Sequence, residues 1–269
     1  MDRKNNLRAL TECSIMIALA TVLSIVKLLE MPYGGSITLA SMLPVAVIAY
    51  RHGAKHGFVT ALSVSLIQML LGMKNFSYFS TWESFIVLAV FDYVVAFGVF
   101  GLCGVFKKKI EKQSTALTLG VLLASVLRYA CHVLSGATVW AGLSIPTEAA
   151  LIYSFSYNAT YMIPETIILV AVCAYLSSVL DLSATVPVRI PAEKIDRRAL
   201  SLKVAAGCVA LGAVIFDTAA VFSKLQNAES GELDMTLLGG VNWLVVAIVT
   251  AVCAAIFALL LLISRKKSA

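Results

Sequence analysis

Long apolar stretches recur along this chain, more of them than a soluble fold of this size could bury. They run roughly over residues 8–30, 36–50, 56–73, 84–106, 115–141, 150–180, 199–222 and 237–264. A helical crossing of a bilayer core needs about 20 mostly apolar residues. The backbone of a crossing segment must satisfy its own hydrogen bonds, and stretches of this length do so as helices. Only 13% of the 269 residues are charged, against roughly 25% in a soluble domain. The expected class is an all-α integral membrane protein with eight transmembrane segments. The second stretch is short for a crossing and holds Pro44, so a protein-buried or irregular piece also fits there.

The cations set the orientation. With the N-terminus inside, sixteen of the twenty-one Lys and Arg fall on inner pieces, among them Arg3, Lys4 and Arg8 at the start and Lys107, Lys108 and Lys109 in the middle. The outer loops hold two, Lys74 and Lys224, and three (Lys27, Arg128 and Lys203) lie inside apolar stretches. Such a bias places both termini in the cytoplasm of a plasma-membrane protein. The same cations, spread over short loops, do not make the single basic face that nucleic acid needs. The N-terminal cations before an apolar run resemble the start of a signal peptide. The run continues to about Leu29 with no small-residue cleavage site, so a retained helix is expected.

The stretch 183–198 carries Pro187, Pro191 and mixed charges and reads as a cytoplasmic linker. It separates a six-helix domain, 1–182, from a two-helix hairpin, 199–269, to which no role is assigned. Asp217 lies about five residues from the hairpin's outer end, which suggests an interfacial position. Six cysteines fall within apolar segments and form no CxxC pair, so they read as packing residues rather than disulfides or metal ligands. No Walker A, HExxH or GxSxG motif is present. No enzyme activity, metal or cofactor is expected, and the chain shows no ATP site of its own.

Asp92 is the most demanding residue, because a carboxylate inside a crossing segment is costly unless something stabilises it. It lies eight residues inward from the outer start of 84–106; His132 is nine inward on 115–141, and Asn158 eight inward on 150–180. At 1.5 Å per residue all three sit about 12–14 Å below the outer boundary. His132, Gly136 and Trp140 follow at i, i+4 and i+8 and share one face, with Gly136 leaving room between an imidazole and an indole. Tyr93 adjoins Asp92, and Tyr153 opens the sixth segment. An acid among aromatic rings suits a small organic cation. Taken singly, Trp140 and Tyr153 also suit an interfacial aromatic belt, and His132 and Asn158 suit helix-to-helix hydrogen bonding.

Arg128 and Glu165 form a second pair at similar depth, below this level. The favoured reading is a buried ion pair that fixes two helices, the alternative a proton or gating element. Ser14 and Ala18, then Ala20 and Ser24, form small-residue pairs on the first helix. The loop Met31-Pro-Tyr-Gly-Gly-Ser36 suits either a lid or a simple turn.

At these residues the chain resembles the ThiT family, the thiamine-specific substrate-binding (S) components of energy-coupling factor (ECF) transporters. The matching stretches are Phe91-Asp-Tyr-Val-Val-Ala96, Arg128-Tyr-Ala-Cys-His-Val-Leu-Ser-Gly136 with Trp140, and Tyr153-Ser-Phe-Ser-Tyr-Asn158; the Tyr-Gly-Gly loop and Tyr50-Arg51 also fit. The resemblance covers about residues 7–182. It implies a six-helix S component that binds extracellular thiamine tightly and docks on an energizing module of one transmembrane coupling protein and two ATPases. It further implies substrate contacts at Asp92, Tyr93, His132, Gly136, Trp140, Tyr153 and Asn158, and a small-residue docking surface near Ser14, Ala18 and Val22. Val22 departs from that surface. Some members carry Glu where Asp92 stands, and some a tryptophan in the first outer loop where this chain has Gly34-Gly35, so that contact is either missing or replaced by Tyr33. Thiamine's cationic thiazolium and flat aminopyrimidine suit an acid, an indole and polar edges.

Three other readings compete. A stand-alone proton-coupled secondary transporter of thiamine or a related organic cation would titrate Glu165 or Asp92. An intramembrane enzyme would need a nucleophile or paired acids around a metal, and Asp92 and Glu165 lie at different depths. A purely structural membrane protein leaves the shared depth of Asp92, His132 and Asn158 unexplained.

Overall fold

The computed structural model describes residues 3–31, 34–78, 81–139, 148–191, 195–225 and 235–265. These fall into two units, Met1–Ile190 and Pro191–Ala269. In the first, α1 (Arg3–Ile25) leads into a short hairpin, β1 (Lys27–Glu30) and β2 (Ser36–Thr38), followed by α2 (Leu43–His52) and α3 (Ala54–Leu71). A 3-10 turn at Met73–Tyr78 precedes α4 (Trp82–Gly104), and α5 (Gln113–Val139) and α6 (Glu148–Val179) complete the helices of this unit. A last strand pair, β3 (Leu180–Asp181) and β4 (Val188–Arg189), closes it. The second unit holds α7 (Arg197–Leu225) and α8 (Trp243–Arg265), which pack on each other.

Among the described residues seven helices are long and apolar enough to cross a membrane; α2 is not one of them. The reason lies in its surroundings. Ten residues rise only about 15 Å. All eight residues from Leu43 to Tyr50 are buried, so α2 is covered by protein on every side. Pro44 stands in its first turn, where a missing N–H costs nothing. Gly53, at φ 85°, turns the chain directly from α2 into α3, a conformation that side-chain-bearing residues avoid. A Cβ at Gly57 would lie 2.8 Å from Cα of Ala49, so glycine is what lets α3 close on α2. Around α2 the core is built from Phe100 and Cys103 of α4, Leu117 and Val121 of α5 and Cys173 of α6.

The first helix stops at Ile25, short of the sequence expectation of about Leu29. From Lys27 the backbone pairs sideways instead, with Lys27, Leu29 and Glu30 opposite Thr38, Ile37 and Ser36. The Gly34-Gly35 turn makes this possible: Gly34 has φ 107°, and the Met31 amide donates to the Gly35 carbonyl at 2.7 Å. The outer loop is therefore in large part a hairpin. Pro32 and Tyr33 lie outside the described residues.

The opposite end of this unit is tied by two side chains. The Arg51 guanidinium donates to both carboxylate oxygens of Glu12 on α1, at 2.8 and 2.9 Å, and to the carbonyls of Leu182, Ala184 and Thr185. Gln113, opening α5, donates to the carbonyls of Ser177 and Leu180 and accepts from the Leu182 amide. Residues 183–190, read from sequence as the start of a linker, are thus fastened to the first unit.

In the second unit α7 continues to Leu225, three residues past the apolar stretch. Asp217 therefore lies eight residues inside the helix, deeper than its sequence position suggested. Its Oδ2 accepts from the Thr250 hydroxyl of α8 at 2.7 Å.

Candidate functional site

Asp92 stands in the middle of a widened stretch of α4. Residues Ala89–Val95 wind as a π-helix, and Val99–Gly104 then tightens to 3-10 geometry. Wide turns of this kind recur at functional sites because they re-aim a side chain within a continuous helix. Here the stretch presents Asp92 to α5, where His132 Nδ1 lies 3.0 Å from its Oδ1. Tyr93, next in sequence, lies in near-parallel stacks with Phe76 on one side and Phe97 on the other.

Asn158 of α6 is held from several directions. Its amide donates to the Ser154 carbonyl at 2.8 Å and to the His132 carbonyl at 3.4 Å, and its oxygen accepts from the Tyr161 hydroxyl at 2.5 Å. Ser154 in turn donates to the Val133 carbonyl of α5 at 2.8 Å. Gly136 makes this crossing possible: a Cβ there would overlap the Ser154 hydroxyl and lie 3.6 Å from the Asn158 amide nitrogen. Glycine is required by the approach of the two helices rather than by its own backbone angles.

These side chains face a cavity of about 640 Å³, within the size range of small-molecule sites. Asp92, Tyr93, His132, Gly136, Tyr153 and Asn158 all line it. Trp140 lies outside the described residues. The shared depth read from the sequence thus corresponds to shared walls of one cavity. Nε2 of His132 is buried and has no partner among the described residues. With Nδ1 donating to the carboxylate, Nε2 is left as a buried lone-pair acceptor. Its burial disfavours a second, unanswered N–H.

Three groups of lining residues were not assigned to the site from sequence. The first is the continuation of the α6 aromatic row past Tyr153: Tyr157 stacks on Tyr153 at 6.2 Å and meets Tyr161 edge-on at 5.9 Å. The signal was available, since Tyr153, Tyr157, Tyr161 and Glu165 recur every four residues and must share a face. The second is Arg128 with Glu165, read from sequence as lying below the site. Both line the cavity, 3.8 Å apart, and Glu165 accepts from the Thr38 hydroxyl at 2.8 Å. The third is the mouth, where Lys27 and Lys74 each stand 2.9 Å from Glu30. Hydrogen bonds from Lys74 and then Lys27 hold the Glu30 carboxyl down at about 2, against an ordinary 4.5. Pairing between a hairpin strand and the turn after α3 could not be read before the hairpin was known.

A cavity with one carboxylate–imidazole pair, a carboxamide and a row of phenols can hold a flat, cationic, hydrogen-bonding molecule. Among the described residues no group of His, Cys, Asp and Glu is placed to hold a metal ion.

Comparison with known proteins agrees with this chemistry. Residues 10–183 match the family described as thiamine transporter protein (Thia_YuaJ). The chain is 36% identical over 195 residues to the thiamine transporter ThiT of Bacillus subtilis (strain 168), covering 68% of this chain and 95% of that one. A solved structure of ThiT from Listeria monocytogenes has the same fold, with a TM-score of 0.52 and 24% identity over 64% of this chain and 94% of its own. The chain therefore belongs to the thiamine transporter family, as a multi-pass bacterial membrane protein that transports rather than catalyses.

Proposed function

We propose that this protein binds extracellular thiamine as the substrate-specific component of an ECF-type uptake transporter. The observation that carries the reading is the Asp92–His132 pair on the cavity wall. Asp92 offsets the thiazolium charge or accepts from the aminopyrimidine amino group, and His132 fixes a polar edge. Asn158 and Tyr153 meet the remaining polar edges, Tyr93 and Trp140 supply aromatic faces, and Gly136 leaves the space a flat ring needs. Residues 1–182 are the binding domain, 183–198 a cytoplasmic linker and 199–269 a separate transmembrane hairpin. On the bias of sixteen inner cations to two outer ones, the eight apolar segments alternate between the two sides, with both termini in the cytoplasm. The short α2 fills its place in that alternation from within the protein.

Energy for uptake comes from a separate module of one transmembrane coupling protein and two ATPases, since the sequence carries no nucleotide-binding motif. Small residues along α1, Ser14 and Ala18 among them, are the surface on which that module docks.

Calorimetry on the purified chain with a panel of vitamins tests the substrate. Thiamine is expected to bind most tightly, and Asp92→Asn to weaken it by about tenfold or more. Preference for a different vitamin, or unchanged affinity in Asp92→Asn, would remove the assignment. Uptake in vesicles tests the partner: it should require the ATPase module and ignore a proton uncoupler.

A further inference from the structure

Among the described residues two Arg–Glu pairs join helices, and they are built differently. Arg51 makes two close bonds to Glu12 and uses its remaining donors on three carbonyls. That is a saturated structural clamp; charged pairs of this kind close to about 2.7–2.9 Å. Arg128 stands 3.8 Å from Glu165, its buried Nε has no partner among the described residues, and its guanidinium lies 4.7 Å above the Phe97 ring. One Glu165 oxygen is taken by Thr38 instead. Both Arg128 and Glu165 face the cavity. An open pair on a cavity wall leaves its field available to a third charge.

We propose that Arg128 and Glu165 are specificity-determining residues of the binding cavity: together with Asp92 they leave its inner wall with one net negative charge, and so select a guest with one positive charge. The inference rests on the thiamine-binding reading above. The count is direct, since Asp92 and Glu165 each contribute one negative charge and Arg128 one positive. All three line the same cavity. His132 is counted as a neutral ring, the form in which Nδ1 alone donates to Asp92. Lys27, Glu30 and Lys74 at the mouth are solvent-exposed, and their fields are screened within about 10 Å.

The arrangement separates two contributions that a single acid could not. Asp92 meets the guest, while Glu165 masks Arg128. Removing Glu165 exposes an unmasked guanidinium to the guest's charge. At a distance of about 7 Å and an effective dielectric of about 20, that change is on the order of tens-fold in affinity. A neutral guest of the same shape would feel little of it.

The test compares thiamine with a neutral isostere in which carbon replaces the charged ring nitrogen, by calorimetry on the purified full chain. The readout is the ratio of the two affinities. Glu165→Gln is expected to lower the preference for thiamine at least tenfold while changing binding of the isostere less than about threefold. Arg128→Gln is expected to raise the preference, and the double variant to return it near the wild-type value, since its net charge is again that of the wild type. A ratio unchanged in Glu165→Gln, whether both affinities hold or fall together, overturns the inference and leaves a structural pair. Should Glu165→Gln not fold, Arg128→Gln and the double variant decide in the same way. A wild-type chain that does not bind thiamine would instead sink the functional reading on which this one stands.

Discussion

Nδ1 of His132 lies 3.0 Å from Oδ1 of Asp92, while the other nitrogen of the same ring is buried and unanswered among the described residues. A buried polar atom without a partner normally costs stability. His132→Phe keeps a ring of similar size but loses both nitrogens. It is expected to lower thiamine affinity by about ten- to hundredfold, equivalent to about 1.4–2.8 kcal/mol, with the melting temperature unchanged or raised. Calorimetry and a thermal melt of the same preparation check this.

Gly136 is the second point of test. A Cβ there overlaps the Ser154 hydroxyl, which bridges to the Val133 carbonyl beside the Asn158 amide. Gly136→Ala is expected to cost about 1–3 kcal/mol, in binding, in stability or in both. Adding Ser154→Ala removes the atom in the way and should recover part of that loss. A double-mutant cycle on affinity and melting temperature measures the recovery.

The Arg51–Glu12 clamp predicts a stability effect without a binding role. The Arg51 side chain is only 4% exposed and serves α1 and the segment after α6 together. Arg51→Ala leaves three carbonyls without their donor and Glu12 with Arg8 and His52 in place of its two-pronged partner. A loss of about 3 kcal/mol is expected, seen as a lower melting temperature. Arg51→Lys should rescue little, because an ammonium cannot reproduce the two-pronged contact.

Glu30 gives a pH dependence whose sign is fixed. Its folded carboxyl titrates at about 2 rather than 4.5, so its pairing with Lys74 and Lys27 stabilises the mouth fully above the ordinary value. That contribution fades as pH falls from about 4.5 toward 2. Hydrogen exchange of the hairpin amides is expected to rise across that window and to lose the pH dependence in Glu30→Gln.

Long periodic features were legible in the sequence, and local geometry was not. Seven of the eight expected crossing segments were legible because the bilayer imposes a length, and the placement of Asp92, His132 and Asn158 at one level followed from a constant helical rise. Even α2 announced itself by its shortness and by Pro44. The hairpin from Lys27 to Thr38 was hidden, because Val26, Leu28 and Leu29 extend an apolar run whether the backbone winds or pairs sideways. The role of Glu165 was missed for a different reason. Depth along a helix says nothing about how far a cavity extends, and the approach of Thr38 depends on that same hairpin. Tyr157 and Tyr161 were readable from their spacing with Tyr153, but a tyrosine on a membrane helix is ordinarily a packing residue and drew no notice.

The widened turn at Ala89–Val95 has a further consequence. A π-type turn accommodates one residue more than a regular helix would place there. Deleting a single codon in this stretch would let the segment relax into ordinary winding, with nearly the same span across the bilayer. The flanking residues would keep their faces, because the extra residue is what the wide turn absorbs, and only the residues inside the turn, Asp92 among them, would be re-aimed. The Asp92–His132 contact is therefore exposed to loss by a frame-preserving deletion that a search for missense changes would overlook.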